Sequence, residues 1–129
     1  MTDSRNLSDS REQTKNEILE RRMLLFAAET IRTMKNHTTL PRSVVDQLTR
    51  SSASIGANYA EACNASSRLD FRNKIFIAKK ETAESRYWID LCIELTKQKE
   101  SWSWCHSESQ ELLLILQTII NTLSNKSAK

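Results

Sequence analysis

Glu81 and Glu84 interrupt a run that is otherwise apolar at helical spacing, formed by Ile77, Glu81, Glu84, Trp88, Leu91 and Leu95. At roughly 100° per residue these positions share one stripe of a helix. Carboxylates on an apolar stripe are costly unless something pairs with them. Two kinds of chemistry would meet that cost. One is a salt-bridge network: Arg50, Ser54 and Glu61 share a face of an upstream helix at steps of four and seven, which lets Arg50 reach Glu81 or Glu84 and fix the register of the two helices. The other is a carboxylate-bridged metal site built from Glu61, Glu81 and Glu84. Such sites commonly take a Glu-x-x-His motif from each of two helices. Here Glu81 is followed by Glu84 and Glu61 by Asn64, while the two histidines, His37 and His106, fall in or beside expected loops. The metal reading lacks its nitrogen ligands, and no cofactor is expected.

The other reactive side chains make no catalytic centre. Cys63, Cys92 and Cys105 are an odd set without a CxxC spacing, which suits reduced thiols in a cytoplasm. Cys105 and His106 are adjacent, yet no oriented acid or base accompanies them. Gly-rich phosphate loops, HExxH and G-x-S-x-G are absent from the sequence. The expectation is a protein that is not an enzyme. A different chemistry is offered by Arg68, Arg72, Lys79 and Arg86, a basic line with seven-residue spacing after Arg72. One reading is a solvated face in which Arg86 pairs with Asp90 at i+4 for about 0.2–0.5 kcal/mol. The other is a phosphate-contacting surface, enlarged where symmetry repeats it around a ring. Trp102 and Trp104, in an expected loop over 100–106, either stack on bases or cap the end of a core.

These residues must be positioned by helices. The 129-residue chain has one Gly and one Pro, too few for a turn-rich β architecture, and its length suits one domain with a real core. Net charge is +3, mildly basic, which permits a nucleic-acid partner without requiring one. Apolar runs such as Leu112–Leu116 are far too short to span a membrane, and the polar stretch Met1–Thr14 has no apolar signal core. Periodicity predicts four helices within residues 11–125, between a flexible tail at 1–10 and a short tail at 126–129. Helix 1 is expected from near Ser10 to about Asn36, with Leu19, Met23, Phe26, Thr30 and Met34 on its buried stripe. Pro41 sits near the first position of helix 2, which buries Val44, Leu48, Ser51, Ile55, Tyr59 and Ala62 and runs to about Asn64. Ser67 and Asp70 form a capping box that opens helix 3, expected to be the longest and to reach about Lys99. Helix 4 is expected from Ser107 or Ser109 to Asn125, burying Leu112, Ile115, Leu116, Ile119, Ile120 and Leu123. The fold expected is all-α, an antiparallel up-down-up-down four-helix bundle.

Two helices carry more than a core face. Helix 2 is packed with Ser and Ala and holds Gly56 at its middle, where Gly costs about 1 kcal/mol against Ala. That cost implies a kink or a close backbone approach, inside one chain or between subunits. Helix 3 has a second stripe that is small or apolar, formed by Phe71, Ile75, Ala78, Thr82, Ser85, Ile89 and Cys92. A helix with two such stripes either packs on two neighbours, one of them in another subunit, or presents a single wide core face as a central helix; the first reading is preferred, so a homo-oligomer is expected.

Leu40-Pro41 followed by Gln47-Leu48-Thr49-Arg50-Ser51-Ser52-Ala53-Ser54-Ile55-Gly56-Ala57-Asn58-Tyr59-Ala60-Glu61-Ala62 resembles the four-helix-bundle family named for 23S rRNA intervening sequences. Its motif reads Arg-small-small-x-Ser-Ile-Pro-Ala-Asn-Ile-Ala-Glu-Gly. The similarity continues through Ser67, Asp70-Phe71, Ile77-Ala78, Glu81 and Glu84, and covers about Leu19–Leu123. Gly56 stands where Pro is common, which softens any kink, and Ala62-Cys63 replace the usual Gly, which delays the following turn. The resemblance implies an antiparallel four-helix bundle assembled into a ring, commonly a homopentamer, and it does not imply an enzyme. The family has no settled biochemical activity; some members are encoded inside rRNA insertions. A related group, the accessory variability determinants of diversity-generating retroelements, forms basic pentameric barrels that bind nucleic acid and a reverse transcriptase. By position, Arg50, Asn58, Glu61, Glu81 and Glu84 match the polar family positions, with a structural role implied. The basic line is read from spacing and is no part of the family motif. The expectation is a cytoplasmic, homo-oligomeric accessory protein that binds RNA or DNA, with Arg72, Lys79 and Arg86 on phosphates. Its rival is a structural or protein-binding ring without nucleic-acid affinity.

Overall fold

The computed structural model describes residues 4–127. Among them are four helices, α1 (Ser4–Lys35), α2 (Arg42–Cys63), α3 (Arg68–Thr96) and α4 (Ser103–Ser127), and no strand. A short 3-10 turn, Lys99–Trp102, links α3 to α4. No helix among the described residues is long and apolar enough to cross a membrane.

Each boundary has a local cause. α1 starts at Ser4, not near Ser10, so the expected tail over 1–10 is helical from residue 4; residues 1–3 lie outside the described ones. Nothing in that stretch breaks a helix, because it contains neither Gly nor Pro, and a helix anchored downstream propagates through it. α1, at 32 residues, is therefore longer than α3, at 29, which corrects the expected order. At the other end α4 runs through Ser127, into the expected tail at 126–129, of which 128–129 lie outside the described residues. Pro41 precedes the first residue of α2, where its missing N–H costs nothing. Ser67 caps α3 as expected, its Oγ accepting from the Asp70 N–H at 3.0 Å. The end of α3 comes earlier than predicted. Lys97 takes a left-handed conformation (φ 56°) and its N–H bonds the Ile93 carbonyl at 2.8 Å.

The junction after α3 corrects a second expectation. Trp102 is in the 3-10 turn and fully buried, and Trp104 sits in the first turn of α4, 48% exposed. The start of α4 thus moves forward from Ser107 or Ser109 to Ser103. The indole of Trp102 stacks on His37 of the α1–α2 connection, centroids 5.6 Å apart, and His37 Nε2 meets Ser101 Oγ at 2.8 Å. Core burial rather than base stacking explains Trp102.

One core draws on all four helices. Met23 and Phe26, Leu48 and Ile55, Ile75 and Ile89, and Leu112 and Leu116 are all fully buried. Burying each such side chain contributes about 1.5–3 kcal/mol. The predicted stripes hold: Thr30 and Met34 complete α1, and Ala78, Thr82, Ser85 and Cys92 complete α3. Two small residues of α2, Gly56 and Ser51, serve contacts within the chain. A Cβ at Gly56 would lie 3.3 Å from the Met23 Cβ, so α1 passes close to the α2 backbone there. On the α3 side, Ser85 Oγ donates to Ser51 Oγ at 2.8 Å, which satisfies two buried hydroxyls at once.

Two substitutions test this packing by urea unfolding. Gly56→Leu drives a side chain into Met23, and overpacking of this kind should lower stability by about 1–3 kcal/mol. Lys97→Gly removes the penalty of a left-handed non-glycine residue and should raise stability by about 1 kcal/mol.

Candidate functional site

Arg50 lies between the two carboxylates that the sequence singled out. Its Nη1 donates to Glu81 Oε2 at 3.1 Å and Oε1 at 3.3 Å, and its Nη2 bonds Glu84. One guanidinium from α2 therefore ties two consecutive turns of α3. Desolvation pulls the Arg50 pKa down, but the Glu84 hydrogen bond and the charges of Glu81 and Glu84 outweigh it and leave it raised. One turn-cluster along the same groove, Lys74 Nζ reaches Glu61 Oε2 at 2.7 Å, and that hydrogen bond raises the Lys74 pKa.

The predicted polar set is thus divided. Arg50, Glu81 and Glu84 come together; Glu61 is held apart by Lys74. Asn58 joins neither group, because its Nδ2 donates to the Ser54 carbonyl one turn back at 2.8 Å. Among the described residues no three His, Cys, Asp or Glu side chains converge as metal ligands would. The bridged-metal reading of Glu61, Glu81 and Glu84 fails on geometry, since each carboxylate already has a cation against it. Lys74 was missed at the sequence level, although its seven-residue step to Glu81 places it on the same face.

The basic line behaves differently. Arg68 is exposed, and Arg72, Lys79 and Arg86 are half-buried along the opposite flank of α3. None of these four has an ion-pair partner among the described residues. The expected Arg86–Asp90 pair is not formed; Asp90 Oδ1 instead meets His106 Nε2 of α4 at 3.1 Å. The guanidinium carbon of Arg72 lies over the Phe76 ring, 5.2 Å from its centroid, which holds the cation against the helix without neutralising it.

Two further features bear on chemistry. Arg22 of α1 makes a two-pronged pair with Glu108 of α4, Nε to Oε2 at 2.9 Å and Nη2 to Oε1 at 2.6 Å. Nothing in the spacing of the sequence links those two residues. Cys105 and His106 point to different neighbours: the thiol sits 3.7 Å from Thr33 Oγ1, while His106 faces Asp90. All three cysteines are free thiols, and burial pushes Cys92 up to about 11.

With this geometry in hand, comparison with known proteins gives a family. The sequence matches the 23S rRNA-intervening sequence protein family over residues 15–121. The chain belongs to that family. A crystal structure of a protein of unknown function, from the S23 ribosomal protein family of Bacteroides thetaiotaomicron VPI-5482, is similar at 34% identity and a TM-score of 0.71. That similarity covers 78% of this chain and 96% of the other. Curated proteins give no match. The span of the 23S rRNA-intervening sequence family match takes in all of α2 and α3, so both halves of the Arg50 network and the whole basic line fall inside it.

The Arg50 network is testable as a coupled unit. Arg50→Ala should destabilise the protein by about 1 kcal/mol, because two like charges then share one groove. In a Glu81→Gln/Glu84→Gln background the same substitution should cost little. Chemical denaturation of the wild type and these variants as a double-mutant cycle measures the difference.

Proposed function

We propose that this protein is a non-enzymatic, cytoplasmic, homo-oligomeric accessory protein that binds RNA or DNA through Arg68, Arg72, Lys79 and Arg86. One observation carries the reading. Lys74, the α3 cation that faces α2, is neutralised by Glu61, while the four on the other flank have no carboxylate partner among the described residues. A row of uncompensated cations at one-turn and two-turn steps attracts a phosphate backbone and releases its counterions. The net charge of +3 is modest for one chain, and repetition around a ring multiplies the field.

The proposed architecture is an antiparallel up-down-up-down four-helix bundle in a ring. Contact pairs support the strand of that reading that concerns one chain. Residue numbers rise on α2 as they fall on α3, from Arg50 with Glu84 and Glu81 to Glu61 with Lys74. The same inversion relates α1 to α2, where Met23 meets Gly56 and Asn16 accepts from Tyr59. The homopentameric number and a reverse transcriptase as protein partner come from the family resemblance alone. A second reading, a structural or protein-binding ring without nucleic-acid affinity, is favoured by exposed apolar side chains such as Leu69, Tyr87 and Leu114.

A titration separates the two. A fluorescent structured RNA and a matched duplex DNA are titrated with wild type and with Arg72→Glu/Lys79→Glu/Arg86→Glu at low and physiological salt. The proposal expects affinity that falls steeply with salt, with a log–log slope reduced by roughly 0.9 for each duplex phosphate contact removed. The triple variant should lose binding while its oligomeric mass is unchanged. Absence of wild-type binding at low salt would leave the scaffold reading in its place.

A further inference from the structure

A second polar line runs beside the basic one. Gln110, Gln117 and Ser124 of α4 follow one another at seven-residue steps, the same step that separates Arg72, Lys79 and Arg86 of α3. The flank of α3 that carries the cations faces α4, because Asp90, one turn beyond Arg86 on that flank, meets His106 at 3.1 Å. Counted from that contact along antiparallel helices, each rising about 1.5 Å per residue, Gln110 comes level with Arg86, Gln117 with Lys79 and Ser124 with Arg72. The groove between α3 and α4 thus repeats one rung, a cation opposite a neutral hydrogen-bonding group, at intervals of roughly 10 Å. Gln110 and Ser124 are exposed and Gln117 is half-buried. The side chain of Gln110 has no partner among the described residues, and Gln117 uses only its Nε2, which donates to Asn121 Oδ1 at 2.8 Å. Among the described residues, the neighbouring carboxylates face elsewhere: Glu81 and Glu84 toward Arg50, Asp70 toward Lys74, and Glu108 and Glu111 toward Arg22. Asp90 and Glu94 come only at the far end, where they line a cavity with Lys99 and His106.

We infer that a single strand of nucleic acid lies along the α3–α4 groove, its phosphates on Arg72, Lys79 and Arg86 and its base and sugar edges against Gln110 and Gln117. The inference rests on the nucleic-acid reading and the antiparallel bundle proposed above and names the kind of strand. Cations hold and position a phosphate backbone but do not read it. A carboxamide carries both donors and an acceptor, so it can bond a base edge or a ribose hydroxyl, and it adds no charge that would compete for the phosphates. Such groups are useful beside the cations only where bases and sugars lie beside the phosphates. A single strand, with its bases unstacked and splayed, presents them there, whereas a duplex keeps its base edges inside its grooves. The carboxylates of Asp90 and Glu94 repel a polyanion, so they end the track at Arg86 and confine the strand to the stretch with rungs.

The test uses the full chain and fluorescence anisotropy, with circular dichroism as the control for folding. The probes are a short mixed-sequence RNA strand, the same sequence as DNA, and the duplex of each. Wild type is expected to bind the single strands about tenfold more tightly than the duplexes. Gln110→Ala/Gln117→Ala removes the amides without touching a charge. It should weaken single-strand binding about tenfold, as the loss of two hydrogen bonds implies, and leave duplex binding and the salt slope unchanged. Lys79→Gln should instead lower the salt slope by roughly 0.7, the value for one single-strand phosphate contact. An equal loss on RNA and DNA strands supports amide contacts to bases, and a loss on RNA alone supports contacts to the ribose 2′-hydroxyl. Absence of wild-type binding to every probe at low salt would overturn the nucleic-acid reading and this inference with it. Duplexes bound as tightly as single strands, or an alanine variant with wild-type affinity for single strands, would overturn the single-strand groove and leave the nucleic-acid reading standing. Should the alanine variant lose its helical signal, Gln110→Met/Gln117→Met, of nearly unchanged volume, replaces it.

Discussion

The volume available on either side of α2 constrains the rest of the molecule. This helix packs against α1 at Gly56 and against α3 at Ser51, and both contacts require side chains that are small or absent. A larger residue at either point would separate the helices and open the core that Met23, Leu48, Ile55 and Ile75 fill. The intrinsic helix penalty of Gly56, about 1 kcal/mol, is therefore offset by close packing. Gly56 also opens, together with Ala53, Ala57 and Ala60, onto a groove between α1 and α2.

Charge is distributed on this framework according to what each flank of α3 faces. The flank toward α2 is crowded, and its ionic groups are matched: Arg50 with two glutamates, Lys74 with Glu61. These pairs are partly exposed and contribute little to stability individually, but they select one register between the helices. Among the described residues, the opposite flank holds cations without matching carboxylates. An arrangement that neutralises one side and leaves the other positive gives the helix an electrostatic direction. The proposed binding rests on the unpaired cations of this chain.

Much of the fold was legible because helix formation and burial obey short-range periodicity. The 3.6-residue repeat placed the buried faces of α1, α2 and α3 residue by residue. Pro41 and the Ser67–Asp70 cap placed two helix starts, since capping depends on residues within one turn. The motif around Arg50 to Ala62 was enough to point to the family. Helix ends without such signals were misjudged. No Gly or Pro between residues 4 and 10 marked a stop for α1, and the break at Lys97 uses a residue with no preference for a left-handed backbone.

What the sequence by itself determined is therefore the helical class, the core faces and the candidate polar residues, all of which depend on chemistry within a few positions along the chain. Beyond the expected meeting of Arg50 with Glu81 or Glu84, only the tertiary structure decided which polar residues meet. It gave Glu81 and Glu84 to one arginine, gave Glu61 to Lys74, turned Asn58 onto its own helix, and took Asp90 from Arg86 to give it to His106. It also joined Arg22 to Glu108 across most of the chain and drew Trp102 from an expected loop into the core. The reason is geometric. Periodicity fixes the direction of a side chain about its own axis, whereas a contact between helices also depends on their relative shift and rotation, which the packing of all four around one core sets together.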